Sequence, residues 1–546
     1  CSSDLDINDQ LFTLQAESDI LGAPFDSTKM IVTDGVYSNV GLRKYFDIYS
    51  GPNQTFTFPI GTSGKYTPAT LTYSNIDNLG FIRINNINDN HPGVFDDTNV
   101  LDYYWEIESD GITGFSGSII FDYKEEDVQV AGANTEADYI AAALLIPGTS
   151  WSKSIDDVDE TNNEITFNYS GVNSLNGEYT AGVDPALPNQ VPEFTSIDDG
   201  VWSDPNNWVQ TAGDTYNLTG APNGFILIID SDDEVSTDIN YAKAYRIRIN
   251  GRLNVTGSTF GHNLGTVSGE GTLYLESGTF PAGRYTDFLD CSNNATLEYG
   301  GNSDYTLIAD LYTSVPNLHF TGSGQRVLPN KDLIICNQLL IDGPVLNNSI
   351  NNRMLTIQGT MERYGTGAFL SGSGPNAVVR FAGTSPQTIG GALGNFTGSN
   401  AFHHFEIDNP NGLTINNGGD IEVDGNLFLT EGNIITGATN VLTLTNTSPN
   451  CVVPAGGGTN SYVDGPLTKR INQGDDFLFP IGKGDEIGNK LTLSATQTGT
   501  QLWTAEYFNP NPTATDMSSP LSYVNADDYW TVSAPSGSQA VVNLEW

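Results

Sequence analysis

Apolar and polar residues alternate along much of this chain. LTYSNI (71–76), FIRIN (81–85), YRIRING (245–251), GTLYLES (271–277) and LTLTN (442–446) are examples. A period of two predicts strands with one buried face. Gly, Asn, Asp and Pro clusters between the runs predict turns. No segment of useful length carries a helical period, so the pattern predicts an all-β protein.

The strand pattern repeats over a long distance. FPIG stands at 58–61 and again at 479–482. TDG (33–35) is answered by VDG (463–465), YYWEI (103–107) by DYWTV (528–532), and GSIIFDY (117–123) by AVVNLEW (540–546). Further upstream, QLFTLQ (10–15) aligns with VLTLTN (441–446). The offsets drift by only a few residues, as loop insertions between fixed strands would produce. Residues 31–192 are expected to form one or two β-sandwich units of immunoglobulin-like build, with Tyr104 and Trp105 filling the space between sheets. The prolines of VDPALPNQVPEF (183–194) predict a linker. Residues 461–546 read as a truncated second copy.

Between the copies, residues 193–460 read as a right-handed parallel β-solenoid. LHFTGSGQRVLPNKDLIICNQLLIDG (318–343) aligns with FEIDNPNGLTINNGGDIEVDGNLFLTEG (405–432), placing Leu318 with Phe405, Leu333 with Ile421 and Leu339 with Leu427. The repeat of about 87 residues would hold roughly four coils of 20–25 residues. Each coil pairs its backbone with the coils above and below, so a bare end coil needs a lid. Trp202 and Trp208 of GVWSDPNNW (200–208) stand where the first lid belongs. Residues 1–30 then read as the tail of a preceding solenoid or repeat.

Composition narrows the function. The 65 acidic residues against 21 Lys plus Arg give a net charge of −44, which repels nucleic-acid backbones and anionic membranes. No apolar run is long enough for a membrane-spanning helix. Cys1, Cys291, Cys336 and Cys451 lack zinc or redox spacing. The repeat register sets Cys451 opposite Leu21 and predicts a small buried apolar role; a 291–336 bridge is compatible with the sequence but is not fixed by it. Cys1-Ser-Ser-Asp fits a lipidated mature N-terminus, whereas the repeat register aligns residue 1 with position 431 and Trp546 with Tyr123, as in a window cut from a longer array. The sequence leaves both readings open.

GVWSDPNNW, the run SPQTIGG followed by HHFEIDNPNGLTINNGGDIEVDGNLFLTEGNI, and the order SYVDG, FLFPIG, DDYW together resemble the very large surface proteins that Bacteroidetes export through the type IX secretion system, gliding-motility adhesins among them. The resemblance covers most of the chain and rests on motif order more than on any one motif. It implies an extracellular, outer-membrane-associated structural or adhesive role without catalysis. The expected partners are an extracellular surface or polysaccharide and neighbouring repeats of the same chain.

Candidate chemistry is sparse. His91, His262, His319, His403 and His404 read as surface or turn residues, and the adjacent pair 403–404 should point its rings to opposite faces of a strand. No GxSxG, HExxH or P-loop occurs. SDDE (231–234), KEED (124–127) and IDDVDETNNE (155–164) are acidic enough for Ca²⁺. The last sets Asp157, Asp159 and Thr161 at alternate positions but lacks the Gly and Glu of an EF-hand loop. Arg246 and Arg248 should share one outward face, with Lys243 nearby. They are the candidate glycan contacts if the solenoid is instead a carbohydrate-binding module or a polysaccharide lyase.

Overall fold

The structure is a computed structural model; it describes residues 4–8, 10–33, 40–155, 157–308, 312–391, 395–416, 419–484, 486–487, 490–509 and 528–545. The fold is all-β, with a parallel β-solenoid, and the helical elements among the described residues are single 3-10 turns. None is long and apolar enough to cross a membrane. The chain divides into two compact units: residues 1–253, 258–269 and 281–286, and residues 254–257, 270–280 and 287–546.

The first unit opens with a single sandwich. One sheet runs in the order Trp151–Ser154, Tyr139–Leu145, Gly177–Val183, Tyr104–Asp110, Gly80–Ile87, Gly41–Phe46, Leu11–Leu14. Facing it are Val158–Asp159, Glu164–Val172, Phe115–Asp122, Ala69–Ile76 and Tyr49–Phe58. Leu42, Phe58, Ile84, Trp105, Phe121 and Tyr179 belong to one continuous core. Trp105 lies in that core with its ring 4.9 Å from Phe121. Tyr104, expected beside it, faces the opposite way because neighbours on a strand alternate; its ring packs on His91 instead.

The proline-rich stretch is no free linker. Ala186, Leu187 and Val191 are buried, and Val191 N–H donates to the Thr149 carbonyl, 2.9 Å. From Glu193 onward the pairing becomes parallel. Phe194, Leu227, Ile247 and Val267 stack in register and all are buried. The antiparallel strand Trp208–Ala212 closes the outer edge of Glu193–Ser196. Trp202 and Trp208 are buried edge to face, 6.0 Å apart, and Trp208 Nε1 donates to the Trp202 carbonyl, 3.2 Å.

In the second unit two buried columns run through successive coils: Leu297, Leu318, Leu339, Met361, Ile389, Ile415, and Val315, Ile335, Ile357, Phe381, Ile407, Leu429. Identical spacing is what continuous main-chain pairing imposes. The aligned residues of the shorter repeat occupy neighbouring columns: Phe405 and Leu427 continue the column of Leu355 and Val379, not that of Leu318 and Leu339. The cause is a corner. Strand Leu333–Asp342 pairs with two strands, Leu355–Ile357 and Thr360–Tyr364, and a Cβ at Gly359 between them would lie 1.7 Å from the Asn337 carbonyl oxygen. Cys291 and Cys336 form a disulfide with Cα atoms 5.5 Å apart; Cys451 is free and buried.

Candidate functional site

The two FPIG segments end the same ladder. Phe56 and Phe58 pair antiparallel with Leu71 and Ala69, as Phe477 and Phe479 pair with Leu493 and Leu491. Proline, which has no N–H to donate, then breaks the strand. The Ile-Gly that follows runs parallel to Ile31–Val32 in one copy and to Val463–Asp464 in the other. This pairing shifts the TDG/VDG match slightly, with Ile31 rather than Thr33 in the place of Val463; Asp34, Gly35, Cys1 and Trp546 lie outside the described residues.

A buried lysine fastens the preceding parallel strand to each copy. Leu42 and Leu467 sit at matching positions, and two residues on stand Lys44 and Lys469, both buried. Lys44 Nζ donates to the carbonyls of Gln15 (2.8 Å) and Ala16 and lies 5.5 Å from the Phe56 ring. Lys469 Nζ donates to the carbonyl of Asn446 and lies 5.2 Å from the Phe477 ring. Ala16 and Asn446 each lie two residues beyond the strand that pairs in parallel with the lysine's own, Leu11–Leu14 and Leu442–Leu444. Burial lowers both lysine pKa values; nearby Asp19 and Asp47 oppose this at Lys44, and Cys451 at Lys469. The 442–469 wiring lies wholly in the second unit and the 11–44 wiring wholly in the first.

Within the first unit, ionisable groups converge where the sandwich meets the strands Arg246–Ile249, Asn263–Ser268 and Ala282–Arg284. Arg83, buried, donates from Nη2 to Glu106 (2.8 Å), from Nε to Glu108 (2.7 Å) and from Nη1 to the Val40 carbonyl (2.5 Å). Arg284 also ion-pairs with Glu106 and stands 4.0 Å from Glu178. Glu178 lies 2.9 Å from His91 Nε2. His91 Nδ1 accepts the Gly93 N–H at 3.0 Å, which leaves Nε2 as the protonated nitrogen donating to Glu178. Burial, then the adjacent Arg83, lowers the Arg284 pKa to about 10. Burial, then Glu178, raises the phenols of Tyr104 and Tyr245 well above their ordinary range.

This cluster encloses a cavity of about 30 Å³ between Glu106, Glu178, Arg284 and Tyr245. That is room for about one water, against roughly 300–1,000 Å³ for a small-molecule pocket. Two cations and three carboxylates close on one another there, so the arrangement fastens elements together; it has no space for a sugar ring.

Most of the residues singled out by sequence have partners of their own. Lys243 ion-pairs with Asp89 at 2.7 Å. Arg246 donates to the Pro147 carbonyl at 2.7 Å and to the Tyr245 hydroxyl at 2.8 Å. Arg248 shares its outward face and is exposed, while Ile247 between them and Ile249 after them are buried. Asp159 accepts Thr161 N–H (2.9 Å), Asn162 N–H (3.1 Å) and Asn162 Nδ2 (2.7 Å), and Asp157 accepts the Ser154 hydroxyl. Each carboxylate thus serves its own turn, and no group of three metal-ligating side chains forms among the described residues.

The histidines differ from expectation. His91 and His262 are buried. The rings of His403 and His404 lie 4.3 Å apart, tilted by 48°, because only His404 lies in the strand His404–Asp408. His403 Nδ1 contacts Asp424 at 2.8 Å, and His404 Nδ1 accepts Asn426 N–H at 2.9 Å. Sequence reading missed the buried lysines, although Lys44 and Lys469 stand at the same offset as Trp105 and Trp530 in a chain poor in lysine. No protein-family model, curated protein or solved structure matches this chain.

Proposed function

We propose that the chain is a non-catalytic structural and adhesive segment of an exported cell-surface protein, a rigid spacer that holds distal binding parts away from the cell. The duplicated junction carries this reading: two copies of one module are fastened to the parallel strand that precedes each of them by the same ladder and the same buried lysine. Rigidity comes from continuous backbone pairing and stacked apolar columns. The net charge of −44 keeps such segments soluble and apart and disfavours acidic polysaccharide as a substrate. The test is attachment of the host cell to a substratum under flow. Deleting residues 193–460 from the surface protein should reduce attachment while export continues; unchanged attachment overturns the reading.

A carbohydrate-binding reading is favoured by one feature. Tyr241 and Phe260 are each 57% exposed on adjacent turns, with ring centroids 5.3 Å apart. Tyr241 holds a left-handed φ of 57°, a costly conformation for an aromatic residue. Glycan-array binding that disappears in Tyr241→Ala and Phe260→Ala supports this second role; an array without signal removes it.

A further inference from the structure

The N-terminal strands of the first unit and residues 434–444 of the second hold the same places in the module. Leu5 pairs with Ile31 as Ile434 pairs with Val463. Leu14 pairs with Lys44 as Leu444 pairs with Lys469. Their surroundings differ. In the second unit Leu413–Ile415 pairs with Ile434–Ile435, Ile421–Val423 with Leu442–Leu444, and Leu427–Glu431 with Val452–Val453. Leu5–Asp6 and Leu11–Leu14 are the terminal strands of their sheets.

Burial follows that difference. Ile434 is 0% exposed and its counterpart Leu5 is 45% exposed. Cys451 is 1% exposed, whereas Leu21, its partner in the repeat register, is 88% exposed, the highest value for a large apolar side chain among the described residues. A groove of about 340 Å³ runs here, lined by Leu5, Phe12, Leu14, Ile20, Leu21 and Phe25. Its walls offer alternating apolar side chains along two open parallel edges. An occupant therefore needs main-chain donors and acceptors as well as apolar side chains, which a strand supplies and a lipid does not.

We propose that this groove seats a parallel β-coil with the chemistry of residues 413–431. Its three short strands lie on Leu5–Asp6, Leu11–Leu14 and the segment at Leu21, as Leu413–Ile415, Ile421–Val423 and Leu427–Glu431 lie on their partners. This names the neighbour in the spacer reading, on which it rests. Seating is read only at this end, so it can fail while attachment still depends on residues 193–460, and the reverse.

The experiment extends the full chain by a copy of residues 404–431 placed ahead of residue 1, and follows amide hydrogen exchange by mass spectrometry. Exchange across residues 5–14 and 20–25 should slow by about ten-fold or more. A second extension, in which the added copy carries Ile421→Asp, Val423→Asp, Leu427→Asp and Leu429→Asp, should leave exchange unchanged. Unaltered exchange with the native coil overturns the proposal, and so does equal slowing by the aspartate-substituted coil.

Discussion

Lys44 and Lys469 are the same residue twice: each is buried, lies over a phenylalanine two positions before the FP dipeptide, and donates to a main-chain carbonyl just past the parallel strand that precedes it. A buried ammonium is costly unless its protons are accepted, and these lysines meet carbonyls instead of carboxylates. Both copies therefore place a charged donor of the same reach at this position.

Replacing either lysine by methionine keeps the stem and removes the donor. Lys44→Met should weaken protection of Gly41–Phe46, and Lys469→Met that of Leu467–Asn472, each by about 1–3 kcal/mol of opening free energy. Hydrogen exchange of both strands in both variants checks this, and each change should leave the other copy unaffected.

Arg284→Met leaves Glu106 with Arg83 alone and removes the cation that stands 4.0 Å from Glu178. Loss of one partner from a buried ion pair costs about 3–5 kcal/mol. The expected signature is faster exchange across Tyr104–Asp110, partly restored in the double variant Arg284→Met/Glu106→Gln.

Asp122 gives a pH dependence. Burial, with Glu164 opposite it on the neighbouring strand and only Lys124 in opposition, raises its pKa from 3.8 to about 6. The folded chain holds this proton more tightly than the unfolded chain, so the contribution is fully present below 3.8 and is lost as pH rises through about 6. Asp122→Asn should flatten the stability profile over that window and raise the melting temperature at neutral pH.

The Cys291–Cys336 bridge spans a sequence separation of 45. Cys291→Ser/Cys336→Ser should lose about 2–4 kcal/mol by denaturant unfolding of the second unit. Cys451, buried and with its thiol pKa raised chiefly by burial, should stay unmodified by alkylating reagents until that unit unfolds.

The alternation at 81–85, 245–251 and 442–446 made the strands legible because a period of two shows in any short window. FPIG was legible because proline at a strand end and glycine in a tight ladder leave few substitutes: a Cβ at Gly61 would lie 2.0 Å from the Lys65 carbonyl oxygen. The junction network was not legible. Arg83, Glu106, Glu178 and Arg284 come from four separate strands, and no local spacing announces their meeting. The histidine pair misled because strand geometry was assumed for His403, which lies outside the strand. Leu21 shows the converse: the register sets it opposite Cys451, but Leu21 is exposed where Cys451 is buried, and a register carries no information about which coil covers a position.

The central claim is that stacked coils and fastened sandwiches make a stiff, passive spacer. Pulling the full chain by handles at its two ends, in single-molecule force spectroscopy, tests this most directly. The account predicts no gain in length until discrete cooperative ruptures, with the Lys44→Met/Lys469→Met chain rupturing at lower force. Smooth lengthening from the lowest loads, or identical rupture forces with and without the lysines, would contradict it.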